Sequence, residues 1–263
     1  MDYKKNQDLL LNLIKEKSVL KQDVFSNIIL NFKVLKGVLK EIGDDLKEKI
    51  AHVDERVIIE YKDSGEFEAQ LRVSGDILVF QMHSNVFKFD LENSLWKSSY
   101  LSENPNRGFC GLINIYNFLN DSFKYNRSND LGYLIGRLFV NHENHFMVQG
   151  KRQLGFLYND FVNSTIDKEK MKSVVQSAIL YSLDFDLLVP SYDLVNQVTV
   201  NQVKQVGDNL KMRTGKRLGF VFQNNNDEVK FYYYEFDLIF FCLTKKKTKF
   251  AHHLLKMARS SRG

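Results

Sequence analysis

The chain has 263 residues, 44% hydrophobic and 26% charged, with 37 Lys and Arg against 32 Asp and Glu. That is the composition of a globular protein with a sizeable core, not of a disordered or fibrous chain. Two prolines argue against long structureless linkers. No apolar run is long enough to span a bilayer: the longest, 231–243, carries Glu235 and Asp237 and reads as a buried strand.

The first 55 residues are helical by pattern. Leu9, Leu10, Leu13 and Ile14 form one apolar stripe. Phe25, Ile28, Phe32, Leu35, Leu39, Ile42 and Leu46 form a second, with gaps of three and four. This seam is expected to pack on a sheet or on the first helix, and the alternative is a dimer through the helix 25–46. Gly43 followed by Asp44 and Asp45 predicts a helix stop.

From Arg56 the period changes to two. "VIIEYK", "EFEAQLRV", "DILVFQMH" and "VFKFDL", separated by tight-turn residues, predict an antiparallel meander over 56–160 with one wet face. Phe67, Ala69, Leu71 and Val73 point to the core, and Glu66, Glu68, Gln70 and Arg72 to water. Residues 92–109 read as a polar connection, after which strand patterns resume at 110–119 and 131–140. The turn "NHEN" then leads into a strand over 145–150. A helix over 167–183, capped by Ser164 or Thr165, directs Met171, Val174, Val175, Ala178 and Ile179 inward. "RLGFVFQ" and "VKFYYYEF" flank "NNNDE" as a final hairpin within the segment 161–243, which is assigned to the same folded unit. The expected class is therefore α+β, with N-terminal helices on a large, mainly antiparallel meander sheet. One internal helix, a C-terminal β-hairpin and a basic tail helix complete it.

Charge is unevenly spread. Residues 244–263 hold seven cations and no acid, whereas the rest of the chain holds 30 cations and 32 acids. "TKKKTKFAHHLLKMAR" is a basic run followed by a short amphipathic helix, in which Lys245, Lys246, Lys247, Lys249, Lys256 and Arg259 are candidate anion contacts. A segment this short orders against a partner or against the body. Nucleic-acid phosphates, an anionic membrane surface and an acidic protein groove all suit it.

Two stretches nearly repeat. "GKRQLGFLYND" at 150–160 and "GKRLGFVFQNN" at 215–225 each place a glycine before two cations, then Leu-Gly-Phe. Each reads as a turn entering a strand, with Gly155 and Gly219 inside it. Lys151, Arg152, Lys216 and Arg217, at equivalent places, are candidate anion contacts. Edge protection explains the same cations without a ligand.

Other constellations point away from catalysis. Neither repeat is a phosphate-binding Walker loop, so nucleotide hydrolysis has no support. His142 and His145 in "NHENHF" read as exposed at a hairpin tip, with no third ligand for a metal. Asp184 and Asp186 read as cap or turn formers, and Cys110 has no base partner. "FKYNR", 123–127, suits base stacking with phosphate contact as well as an ordinary amphipathic segment. Cys110 and Cys242 in apolar surroundings, with no signal peptide at the start, imply reduced thiols in the cytoplasm. The leading expectation is a non-catalytic protein that binds nucleic acid or a ribonucleoprotein surface through its basic tail. No catalytic residue, metal or cofactor is expected. The rival is a small-ligand-binding or adaptor protein whose tail engages a protein or an anionic membrane.

Overall fold

The computed structural model describes residues 3–185, 189, 191–201 and 203–204. The chain divides into two compact units, the first holding all residues up to Phe185. In the first unit a helix α1 (Tyr3–Leu13) runs through a π-helical turn (Ile14–Ser18) into a long helix α2 (Val19–Ala51). Residues 6–19 are exposed, and burial begins at Leu20. Thereafter Val24, Ile28, Phe32, Leu35, Val38, Leu39 and Ile42 are buried at the three-and-four spacing of the seam. The stop expected at Gly43 does not occur. The helix continues to Ala51, and Gly43 is buried with Tyr61 and Leu71 beside it. A helix-interior glycine costs about 1 kcal/mol relative to alanine, which does not end a helix already held by a full apolar face.

Among the described residues, seven strands make one antiparallel sheet. They are β1 (Ile59–Asp63), β2 (Glu68–Val73), β3 (Asp76–Met82), β4 (Phe87–Lys88), β5 (Phe109–Leu119), β6 (Tyr133–Asn141) and β7 (Phe146–Gly150). The order is β1-β2-β3-β5-β6-β7. The meander is interrupted at β4, which pairs not with β3 but with the start of β5, Phe87 opposite Cys110. It thus prolongs the edge of β5 that β3 occupies further along, Met82 opposite Ile113. A bulge at Ile115/Tyr116 shifts the register of β5 against β6.

The inner face carries Ala69, Leu71, Val73, Leu78, Phe80, Met82, Ile113, Ile115, Leu138, Val140, Phe146 and Val148. Two helices cover it: α2, and α6 (Lys168–Leu183), which inserts the five residues expected of it. The cap of α6 is Asp167, whose carboxylate accepts from Lys170 N at 2.7 Å, rather than Ser164 or Thr165. Gly111 lets α2 approach β5, since a Cβ there would lie 2.5 Å from Cβ of Ile28. The α2 seam is therefore spent on its own sheet, and those side chains are not available to a second copy.

The outer face is not uniformly wet. Gln70, Ile77, Val79 and Leu112 are buried there. The alternation in β2 suggested a solvated face, but β3 carries Ile77, Leu78, Val79 and Phe80 in succession and is apolar on both sides. At one end of this face the connection expected to be open folds into short helical turns: Ser94–Lys97, α3 (Ser99–Glu103) and Pro105–Gly108. Phe89, Leu101, Cys110 and Phe161 form a second apolar cluster beneath them, joined by Trp96, Tyr100, Phe139 and Met147. Trp96 lies against Gly108, donates its indole N–H to Asp90 O at 2.7 Å, and holds Lys88 Nζ 4.9 Å from its ring. Short helices α4 (Asn120–Lys124) and α5 (Gln153–Leu157) complete the first unit. In the second, α7 (Tyr192–Val195) is described. The expected final hairpin and the basic tail helix lie outside the described residues.

Candidate functional site

The first copy of the repeated word does not enter a strand. Gly150 ends β7, Arg152 takes φ 47° and ψ −125°, and residues 153–157 form α5. Gly155 sits in that helical turn rather than in a strand, because the chain folds back onto itself: a Cβ on Gly155 would lie 2.2 Å from Gly150 O. The Leu-Gly-Phe core that resembled strand grammar serves a tight reversal, with Leu154 buried under it.

This turn places Arg152 at the C-terminal end of α6. The Arg152 guanidinium donates to the carboxylate of Asp184, the C-cap residue of α6, and lies 6.0 Å from the Tyr181 ring. Its charge is thus paired within the protein. Lys151 donates its backbone N–H to Ile135 O at 3.2 Å. Lys216, Arg217, Lys245, Lys246, Lys247, Lys249, Lys256 and Arg259 lie outside the described residues, so within them only Lys151 and Arg152 are brought together. Asp184 is a cap and an ion-pair partner, as a turn-former reading expects.

The stretch "FKYNR" is divided. Phe123 packs edge-on to Phe118 at 5.4 Å yet stays exposed, as does Lys124, whereas Arg127 is buried with its Nε 3.3 Å from Asp130. Arg127 is thus turned inward, away from any phosphate.

The richest polar cluster was not foreseen. It joins the 92–109 connection to the tip of the β6–β7 hairpin. Tyr100 donates its hydroxyl to Glu143 at 2.7 Å and accepts from Asn141 Nδ2 at 2.9 Å. Arg107 donates its Nε to the same carboxylate at 3.1 Å and lies 4.4 Å from the Tyr100 ring. Asn141, fully buried, accepts from the amides of Glu143 and His145, both at 2.9 Å. His145 stacks on Tyr100 with centroids 4.3 Å apart, and its Nδ1 is 3.1 Å from Phe161 O. Asn27 and Asn31 of α2 donate to Asn144 Oδ1 at 3.0 and 2.9 Å, tying the tip to the helix. His142 and His145 are accordingly half-buried rather than exposed.

The electrostatics fit a latch. Burial of the Glu143 carboxyl acts to raise its pKa, but the Tyr100 hydroxyl and the Arg107 guanidinium outweigh it and hold the group below the usual carboxylate range. Burial, with donation to Glu143, pushes the Tyr100 phenol well above its ordinary value. The shifts match the hydrogen bond: the phenol keeps its proton and donates it to an ionised carboxylate. Burial likewise raises the Cys110 thiol, which makes it a packing residue and not a nucleophile. Among the described residues no three His, Cys, Asp or Glu side chains are grouped to hold a metal. A groove of about 460 Å³ lined by Ser64, Phe67 and His83 is open to solvent.

Comparison with family models, with curated proteins and with solved structures finds no match to this chain.

No spacing rule reveals the latch. Tyr100 and Arg107 lie in a stretch without periodicity, and their partners are some forty residues away in sequence. The compact Asn-His-Glu-Asn tip was the only visible half of it.

Proposed function

We propose that this is a non-catalytic protein of the cytoplasm that binds nucleic acid or a ribonucleoprotein surface through its basic C-terminal segment. One observation carries the reading: residues 244–263 hold seven cations and no acid, while the remainder has a small excess of acids. Lys245, Lys246, Lys247, Lys249, Lys256 and Arg259 supply the main contacts, with Lys151, Lys216 and Arg217 as accessory ones. Arg152 contributes only by exchanging its Asp184 partner for a phosphate. Cys110, buried and without a disulfide among the described residues, is compatible with a reducing compartment. The polar constellations of the first unit are spent on internal partners, which favours binding over catalysis.

The test is a titration of the full chain against labelled duplex at several salt concentrations. The plot of log K against log salt should have a slope of about −3 to −5, from roughly −0.9 per neutralised phosphate with part of the seven cations engaged. Little sequence preference is expected, since such contacts position without reading bases. Deleting 244–263 should abolish most of the affinity. Unchanged affinity and slope after that deletion, or no binding at low salt, overturns the proposal. Loss of binding to anionic vesicles, but not to duplex, when Phe250 and Leu254 are replaced by Ser would leave phosphate contact as the tail's role.

A further inference from the structure

The edge of the sheet at β1, beyond which no described strand lies, carries a pattern that matches itself. Ser74 N donates to Ile58 O at 2.8 Å and Ser64 N to Glu68 O at 3.2 Å, with Ile59 opposite Val73 and Asp63 opposite Ala69. Hydrogen-bonded and non-hydrogen-bonded pairs alternate along an antiparallel ladder, so residues 58, 60, 62 and 64 face β2 with their backbone groups. Ile59, Tyr61 and Asp63 therefore turn N–H and C=O outward, and no described strand pairs with them. Such an edge is a template for another strand unless it is guarded.

The side chains on this edge are not a simple guard. Glu60 and Lys62 are both exposed, one on each side of Tyr61, and neither forms an ion pair among the described residues. A run of like charges would repel a second copy. Opposite charges spaced by two do the reverse. If a second β1 pairs antiparallel with Tyr61 on the two-fold axis, Ile59 lies opposite the partner's Asp63 and Glu60 lies opposite the partner's Lys62. The hydrogen-bonded positions of this pairing are 59, 61 and 63, the three whose backbone groups meet no described strand. The pair formed by Glu60 and the partner's Lys62 falls at the non-hydrogen-bonded positions, where side chains approach most closely. Backbone and charge thus select the same register.

We propose that two copies of this chain associate through β1 in an isologous antiparallel pair, joining their sheets into one continuous sheet across a two-fold axis. This surface is independent of the basic tail. It is also distinct from the α2 seam, which the sheet of the same chain covers.

Sedimentation equilibrium of the full chain, from micromolar to submillimolar concentration, should show a monomer–dimer equilibrium. Hydrogen exchange at the amides of Ile59, Tyr61 and Asp63 should slow as concentration rises. Glu60→Lys or Lys62→Glu places like charges opposite one another at two sites per dimer and should weaken self-association about ten- to a hundredfold. An equimolar mixture of the two variants should recover it, because each then meets its opposite. The double variant Glu60→Lys/Lys62→Glu should recover it alone. Both positions are exposed, so the melting curves should stay near that of the parent. A monomer at every concentration overturns the proposal. So does a dimer indifferent to either single reversal, or a mixture that fails to associate while both variants are folded.

Discussion

At Arg152 the backbone, not the charge, is the unusual feature. A non-glycine residue at φ 47° and ψ −125° is strained, typically by 1–3 kcal/mol. Two substitutions separate the strain from the ion pair. Arg152→Ala and Arg152→Gly both lose the contact with Asp184, but only glycine relaxes the turn. The glycine variant should therefore be the more stable by about 1 kcal/mol in chemical denaturation. Equal stabilities would mean that the turn is not strained. Glu143 gives a second test, through pH. Its folded pKa is depressed, so its contribution to stability is present above the unfolded value of about 4.3 and is lost as pH falls through the lower folded value. Glu143→Gln should melt below the parent protein at neutral pH, and the gap should close as pH drops below about 4. A gap independent of pH would remove the charge from the latch.

Helices and strands were legible in the sequence to the extent that periodicity marks a buried face. The α2 seam and the five inward residues of α6 were readable because one face of each meets one core. What could not be read depends on long-range placement. The strand β4 had a sound local pattern but belongs beside β5. Leu-Gly-Phe after Arg152 alternates like a strand, and a single positive φ turns it into a helix. Of the candidate site, the sequence placed Lys151 and Arg152 together but could not supply Asp184. At the other end of the chain the continuous helix runs beyond its support, with residues 6–19 exposed. Removing residues 1–18 should change stability by less than about 1 kcal/mol, since none of the described side chains over 6–18 is buried. A larger drop in the thermal midpoint would show that α1 and the π-helical turn contribute to the fold.

Taken as a whole, the first unit has two apolar clusters on opposite faces of one sheet, and among the described residues every member of both precedes Phe185. A chain ending at Phe185 should keep a cooperative transition in far-ultraviolet circular dichroism; a broad, non-cooperative melt would mean that the second unit completes the core. The chain has one tryptophan among 33 Phe and Tyr, and it belongs to the smaller cluster. Trp96 rests on Gly108, beneath Lys88 and beside the latch of Tyr100 and Arg107. Its emission is a reporter built into one face alone. A red shift that precedes the loss of ellipticity would record the 92–109 cover lifting from the sheet while α2 and α6 stay packed. Coincident transitions would mean that the two faces unfold as one.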